Sequence, residues 1–128
     1  VSLRVVRLGS PRLPDEGLRL GTVRRPPRGV PKAEFARRDF YDLWLPALSP
    51  SAELLASAKS AAANQSWAVF ARRYRSEMST PDAGQLLDLL AALSHRTDFS
   101  VGCYCLDESR CHRSILRELF VARGALLA

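Results

Sequence analysis

Apolar and polar positions divide the chain into short strands near its start and amphipathic helices through its middle. Val1–Leu8 (Val-Ser-Leu-Arg-Val-Val-Arg-Leu) is rich in β-branched residues and alternates loosely, which predicts a half-buried strand. Gly9-Ser10-Pro11 breaks it, and Pro14-Asp15-Glu16-Gly17 makes a turn. Leu18–Val23 reads as a second strand. It is followed by Arg24-Arg25-Pro26-Pro27-Arg28-Gly29-Val30-Pro31-Lys32, a stiff basic loop whose prolines remove ladder donors. The aromatic run Asp39–Pro46 suits either a strand or an irregular packed segment.

Beyond it the period changes to that of helices. Ser49 as cap and Pro50 at the first helical position predict a helix running to about Ala63, and Asn64-Gln65-Ser66 opens another. There Trp67, Phe70 and Tyr74 recur at intervals of three and four, the spacing of a packed face, with Arg72, Arg73 and Arg75 on the solvated one. Trp44 is expected to pack with these aromatics. Thr80-Pro81 caps a third helix whose buried stripe is Leu86, Leu87, Leu90 and Leu93, and His95 at its end complements the helix dipole. A strand over 99–104 then feeds a closing helix from about Ser109 to Leu126, with Ile115, Leu116, Leu119, Phe120 and Leu126 inward. Strands separated by helices predict one compact α/β domain over residues 1–128, a mostly parallel sheet flanked by helices.

Composition sharpens this little. At 128 residues, with 47% apolar and 25% charged content, the chain has the makings of an ordinary soluble domain that needs no staples. Charge says more. The net charge is +6, and 17 of the 19 basic residues are arginine, whose forked donors match phosphate and carboxylate. From Arg19 to Arg38 there are seven basic residues against one acid, Glu34. That balance permits an anionic small molecule, a nucleotide-like ligand or nucleic acid as partner. No apolar run reaches the roughly 20 residues of a spanning helix, so no membrane association is expected. Three clustered cysteines, an odd number, with no secretory h-region ahead of them, predict a reducing, cytoplasmic setting.

The candidate chemistry lies in the last quarter. Cys103, Cys105, Cys111 and His112 fall within ten residues, across a strand, a polar turn and the start of a helix. In a parallel sheet the carboxyl end of that strand is where open α/β folds place ligands. Cys103 and Cys105 are two apart and point the same way in extended chain. Cys111, His112 and Arg113 are expected in the first helical turn, where free N–H groups and the dipole would lower the Cys111 pKa. Asp107 and Glu108 oppose that field, and no glycine-rich element supports a phosphate loop. Adjacent residues on a helix are turned about 100° apart. That leaves two roles open for His112, pairing with Cys111 and contact with substrate.

Cys103 followed eight positions later by Cys111-His112-Arg113-Ser114, from strand into helix, resembles the C-terminal signature of the domain of unknown function 488. Arg25-Pro26-Pro27-Arg28-Gly29-Val30, Asp42-Leu43-Trp44-Leu45-Pro46, Ser49-Pro50-Ser51 and the run from Trp67 to Met78 resemble its YeaO-like branch. The resemblance covers about Leu18 to Phe120 and implies a compact bacterial α/β domain from a family without an established activity. The chain departs from it in carrying Cys105 where many members have an acid, for which Asp107 or Glu108 is the available substitute. YeaO-like relatives often lack the Cys-His-Arg end kept here.

The resulting expectation is a pocket at one sheet edge, walled by Cys103–Arg113 on one side and by Arg24–Gly29 on the other. Arg24, Arg25, Arg28 and Arg113 would bind an anionic ligand. Cys111 would be nucleophile or redox thiol, with His112 its proton partner and Cys103 and Cys105 beside them. This reading requires no cofactor and no resident metal. The alternatives are a nucleic-acid-binding module using the basic 19–38 segment, and a zinc or iron–sulfur domain ligated by Cys103, Cys105, Cys111 and His112.

Overall fold

The computed structural model describes residues 2–60 and 67–128. Val1, the predicted continuation of a helix to Ala63 and its restart at Asn64-Gln65-Ser66 lie outside the described residues. Strands β1 (Leu3–Arg7), β2 (Leu18–Gly21), β3 (Leu43–Trp44) and β4 (Phe99–Cys103) form one sheet in the order β1-β4-β2-β3. Every pairing is parallel, as an α/β domain predicts, with Leu3 opposite Phe99 and Leu18 opposite Phe99 from the other side. The helices are α1 (Ala52–Ser60), α2 (Trp67–Glu77), α3 (Pro81–Leu93) and α4 (His112–Ala122).

Alternation along the strands sends Leu3, Val5, Leu20, Phe99 and Val101 to one face. There they meet Leu54, Tyr74, Leu87, Leu90, Ile115, Leu116 and Phe120 from all four helices. Burial of each such large side chain is worth about 1.5–3 kcal/mol. Irregular chain covers the opposite face. Its strand residues include Arg19 and Ser100, both buried, and two glycines that admit close neighbours. A Cβ on Gly21 would lie 2.4 Å from the Tyr41 ring, and one on Gly102 would lie 2.7 Å from the Val6 carbonyl oxygen. The buried Arg19 guanidinium pairs with Glu16 at 2.7 Å and donates to the carbonyls of Ser10 and Asp39. Glu16 also accepts from the Ser100 hydroxyl, so the buried pair is fully hydrogen-bonded.

Several elements differ from expectation for local reasons. Helix α1 starts after Ser51, not Ser49. The Ser51 hydroxyl accepts from the Leu54 N–H, and both the N–H and the hydroxyl of Ser51 donate to the Glu77 carboxylate. Buried Ser49 instead donates to the Pro50 carbonyl. Thr80 caps α3 as predicted, accepting from Ala83. Trp44 is exposed on the edge strand, with its ring N–H donating to the Val23 carbonyl. A two-residue edge strand has too little cover to bury an indole. The closing helix ends at Ala122 because Gly124 takes φ +75°, so Leu126 leaves the helical stripe and is exposed. His95 donates from Nε2 to the Gly124 carbonyl, 2.7 Å away, and ties the end of α3 to that turn. Among the described residues no helix is long and apolar enough to cross a membrane.

Candidate functional site

Strands β2 and β4 are parallel neighbours in register, Gly21 opposite Gly102. Their carboxyl ends therefore release Thr22–Arg28 and Cys103–His112 side by side. The Thr22 N–H and hydroxyl both donate to the Gly102 carbonyl, at 2.9 Å each, which continues the pairing one step past the sheet. Between the two segments opens a cleft of about 1020 Å³. One wall carries Cys103, Cys105 and His112, and the other carries Arg24, Arg25 and Arg28. Phe40, Tyr104 and Leu55 supply apolar surface. The Tyr104 hydroxyl reaches across to donate to the Arg25 carbonyl at 3.0 Å.

The thiols converge. The sulfurs of Cys103 and Cys111 are 2.9 Å apart, both residues are buried, and the Cys105 N–H donates to the Cys103 sulfur at 3.3 Å. All three cysteines are free thiols, and only Cys105 is exposed. The chain turns from β4 to α4 through a 3-10 turn, Glu108–Arg110, capped by Asp107 accepting from Ser109. Cys111 is the N-cap residue of α4, with φ −123° and ψ 151°, and does not sit within its first turn. The 100° separation expected of neighbours on a helix therefore does not apply. Extended backbone at Cys111 brings its sulfur to 3.7 Å from Nδ1 of His112.

His112 is fixed from three sides. Its Nε2 lies 2.7 Å from the Thr22 carbonyl oxygen and 3.4 Å from the Thr22 hydroxyl, and its ring packs edge-on against Tyr74 at 5.4 Å. A carbonyl oxygen only accepts, so Nε2 carries a proton toward Thr22 and Nδ1 is the nitrogen that faces the Cys111 sulfur. Tyr74 is held in turn by donation to the Leu48 carbonyl at 2.6 Å, and burial pushes its phenol well above the usual value.

The electrostatics separate the two buried cysteines. Hydrogen bonds from the Cys103 and Cys105 thiols, aided by His112, outweigh burial and hold Cys111 far below the usual thiol range. Cys103 moves up, because the neighbouring Cys105 and Cys111 thiols and burial favour its protonated form. The two shifts run in opposite directions, so of the pair it is Cys111, at the helix N-terminus, that favours the thiolate. Cys105 is raised: the hydrogen bond with Cys103 favours its thiolate, but Cys111 and burial prevail.

The candidate arginines take different parts. Arg24 spends its guanidinium on backbone, donating to the carbonyls of Pro46, Ser49 and Pro50. Arg25 and Arg28 are exposed on the cleft, and among the described residues neither makes a side-chain hydrogen bond or ion pair. Arg113 is buried and outside the cleft lining. It donates to the Cys105 carbonyl at 2.5 Å, leaves its Nε without a partner and forms no ion pair among the described residues. Its charge instead acts on the Cys105 thiol and on Asp107, at the thiol-bearing side of the site. Cys111 too is absent from the lining, lying behind Cys103. Neither proposed substitute acid reaches the cleft, since Asp107 caps its turn and Glu108 pairs with Arg117.

The seven cations of the 19–38 segment do not form one free basic surface. Arg19 is buried against Glu16, Arg24 binds carbonyls, and Arg37 and Arg38 pair with Glu34. The sequence reading missed Thr22 and Tyr74, which orient His112. Thr22 looks like an ordinary strand-end residue until β4 is known to lie beside β2, and Tyr74 has the spacing of a packing aromatic.

The family model described as the active DUF488-N3 subclade matches residues 3–124, nearly the whole chain. No curated protein and no solved structure matches it.

Proposed function

The chain belongs to the active DUF488-N3 subclade, and we propose that it is a thiol-dependent enzyme acting on a small anionic substrate held in the basic cleft. The observation that carries this reading is the 2.9 Å approach of Cys103 and Cys111 beside a histidine whose Nδ1 faces the sulfur. Cys103 lines the cleft and is the sulfur that meets the substrate, while Cys111 behind it holds the negative charge and receives the Cys103 proton. His112 is the proton partner of Cys111. Arg25 and Arg28, uncommitted within the fold, supply the anion contacts.

Alkylation with reagents of different charge tests this. Anionic iodoacetate and neutral iodoacetamide are compared, each normalised to its rate with free glutathione, and the modified cysteine is mapped by mass spectrometry. The expected result is selectivity for iodoacetate at Cys103, lost in an Arg25→Glu/Arg28→Glu variant. Equal reactivity toward both reagents, or reaction confined to Cys105, would overturn the reading.

A second reading, a bound metal ion, is favoured by one arrangement: the ligand atoms of Cys103, Cys111 and His112 lie within 4.8 Å of one another. His112 also has the carbonyl partner that orients metal-bound imidazoles. Against it, two thiolates on one tetrahedral zinc sit about 3.7 Å apart, given bonds of about 2.3 Å. The two sulfurs here are 2.9 Å apart and would have to separate. Elemental analysis of protein purified without chelators decides between them: stoichiometric zinc supports the metal reading, and its absence together with iodoacetate selectivity supports the thiol enzyme.

A further inference from the structure

We infer that Cys103 and Cys111 are a reversible two-electron redox pair, closing to a disulfide when a small hydroperoxide enters the cleft. The inference rests on the thiol reading just proposed, and extends it from a nucleophile to a site of covalent modification. Its basis is placement. Two sulfurs 2.9 Å apart are inside the contact distance of unbonded sulfur atoms and need to close by only about 0.9 Å to reach a bond of about 2.04 Å. One of them faces the cleft and the other lies behind it, so an oxidant reaches Cys103 first. The Cys105 sulfur is exposed, and its backbone N–H points at the Cys103 sulfur, which steadies negative charge there.

The chemistry proceeds in two steps. Cys103 passes its proton to the Cys111 thiolate and attacks the hydroperoxide. A sulfur–oxygen bond forms, the oxygen–oxygen bond breaks, and the departing alkoxide or hydroxide takes the proton back from Cys111 to leave as alcohol or water. Cys103 is now a sulfenic acid and Cys111 is again a thiolate. Cys111 then attacks the Cys103 sulfur. The sulfur–sulfur bond forms, the sulfur–oxygen bond breaks, and hydroxide leaves and is protonated to water. Two thiols are oxidised by two electrons and one hydroperoxide is reduced. An external dithiol reverses the oxidation.

The sequence makes the link easy to read. Trypsin cuts after Arg96, Arg110 and Arg113, which separates a peptide holding Cys103 and Cys105 from the tripeptide Cys111-His112-Arg113. The full chain is treated with equimolar hydrogen peroxide and examined without reduction. Free thiols should fall from three to one, the intact mass should drop by about 2 Da, and the tripeptide should appear cross-linked to the larger peptide. Cys105→Ser, at an exposed position, should form the same link, which assigns it to Cys103. Cys111→Ser should form no link to the tripeptide, and the Cys103 sulfenic acid it forms, more slowly without the Cys111 base, should be captured by dimedone. Dithiothreitol should restore all three thiols of the wild type.

A link confined within the larger peptide, a link lost in Cys105→Ser, or overoxidation without any link would overturn the inference. These outcomes are separable from failure of the enzyme reading. A disulfide without iodoacetate selectivity removes the anion cleft and keeps the redox pair, and selectivity without a disulfide removes the redox pair alone.

Discussion

His112 is held by Thr22: its Nε2 lies 2.7 Å from the Thr22 carbonyl oxygen, across 90 residues of sequence. The contact joins the ends of two parallel strands and settles which imidazole nitrogen faces the thiols. A backbone carbonyl cannot be removed by substitution at Thr22, so the proton on Nε2 is a property of the fold. Thr22→Val would remove the hydroxyl and its bond to Gly102 while leaving this carbonyl in place.

That arrangement sets the pH dependence of the thiols. The Cys111 pKa lies below the usual thiol value, so its thiolate persists at pH values where a free thiol is protonated. The ultraviolet absorbance of a thiolate should therefore persist from pH 8 down to pH 6 in the wild type. In His112→Ala the signal should be lost at higher pH, falling at pH 6 by about tenfold for each unit by which the pKa rises beyond 6. Ultraviolet titration across pH 5–9 measures both profiles, and superimposable curves would sink the pairing.

The arginines of the cleft should separate into two groups. Arg25→Ala and Arg28→Ala remove side chains that hold nothing within the described fold, so melting temperature should change by no more than a surface substitution allows, within about 0.5 kcal/mol. Reactivity toward iodoacetate should drop and lose its salt dependence. Arg24→Ala removes donors to the carbonyls of Pro46, Ser49 and Pro50 and should destabilise by about 1–3 kcal/mol. Thermal melts and charge-selective alkylation on the three variants would reveal any exchange of these roles.

The buried Glu16–Arg19 pair should govern acid stability. Burial pushes the Glu16 carboxyl up, but hydrogen bonds from Arg19 and Ser100 outweigh it and hold the pKa below the usual carboxylate range. A depressed folded pKa stabilises above the unfolded value of about 4.3 and is lost as pH falls through the folded one. Glu16→Gln should cost about 3–5 kcal/mol at pH 7, since it strands the Arg19 charge. It should also flatten the decline in melting temperature between pH 5 and 2. Calorimetry across that range would count against the pair if the variant kept the wild-type slope.

Gly21 and Gly102 should resist alanine. Each added Cβ meets something that yields poorly, the Tyr41 ring at 2.4 Å and the Val6 carbonyl at 2.7 Å. Overpacking of this kind costs about 1–3 kcal/mol. Because both glycines precede the cleft segments directly, loss of stability should be accompanied by altered Cys103 reactivity. Wild-type melting for Gly102→Ala would contradict the close approach.

Much of this architecture is legible in the residues. Period-two and period-three-four patterns place β1, β2, β4 and the helices, Thr80-Pro81 marks the start of α3, and a strand running into a helix at Cys103–His112 marks the site. The basic loop after β2 and the cysteine segment after β4 were expected at one sheet edge, because both follow strands of a parallel sheet. The register of β2 against β4 places them so. Local signals misled where two choices were chemically equal, as with Ser49 and Ser51, or where a helix ended before its apolar residues did, as at Leu126.

Tertiary structure alone decided the rest. Whether Cys111 begins a helix or caps it changes its distance to His112, and that depends on a 3-10 turn closed by Asp107. Which arginines remain available depends on which carbonyls and carboxylates the fold brings to them, as Arg24 and Arg19 illustrate. Periodicity reports which face of an element is buried, because burial repeats along the chain. Side-chain pairing across 90 residues, like that of His112 with Thr22, has no local period and follows only from the order of the strands.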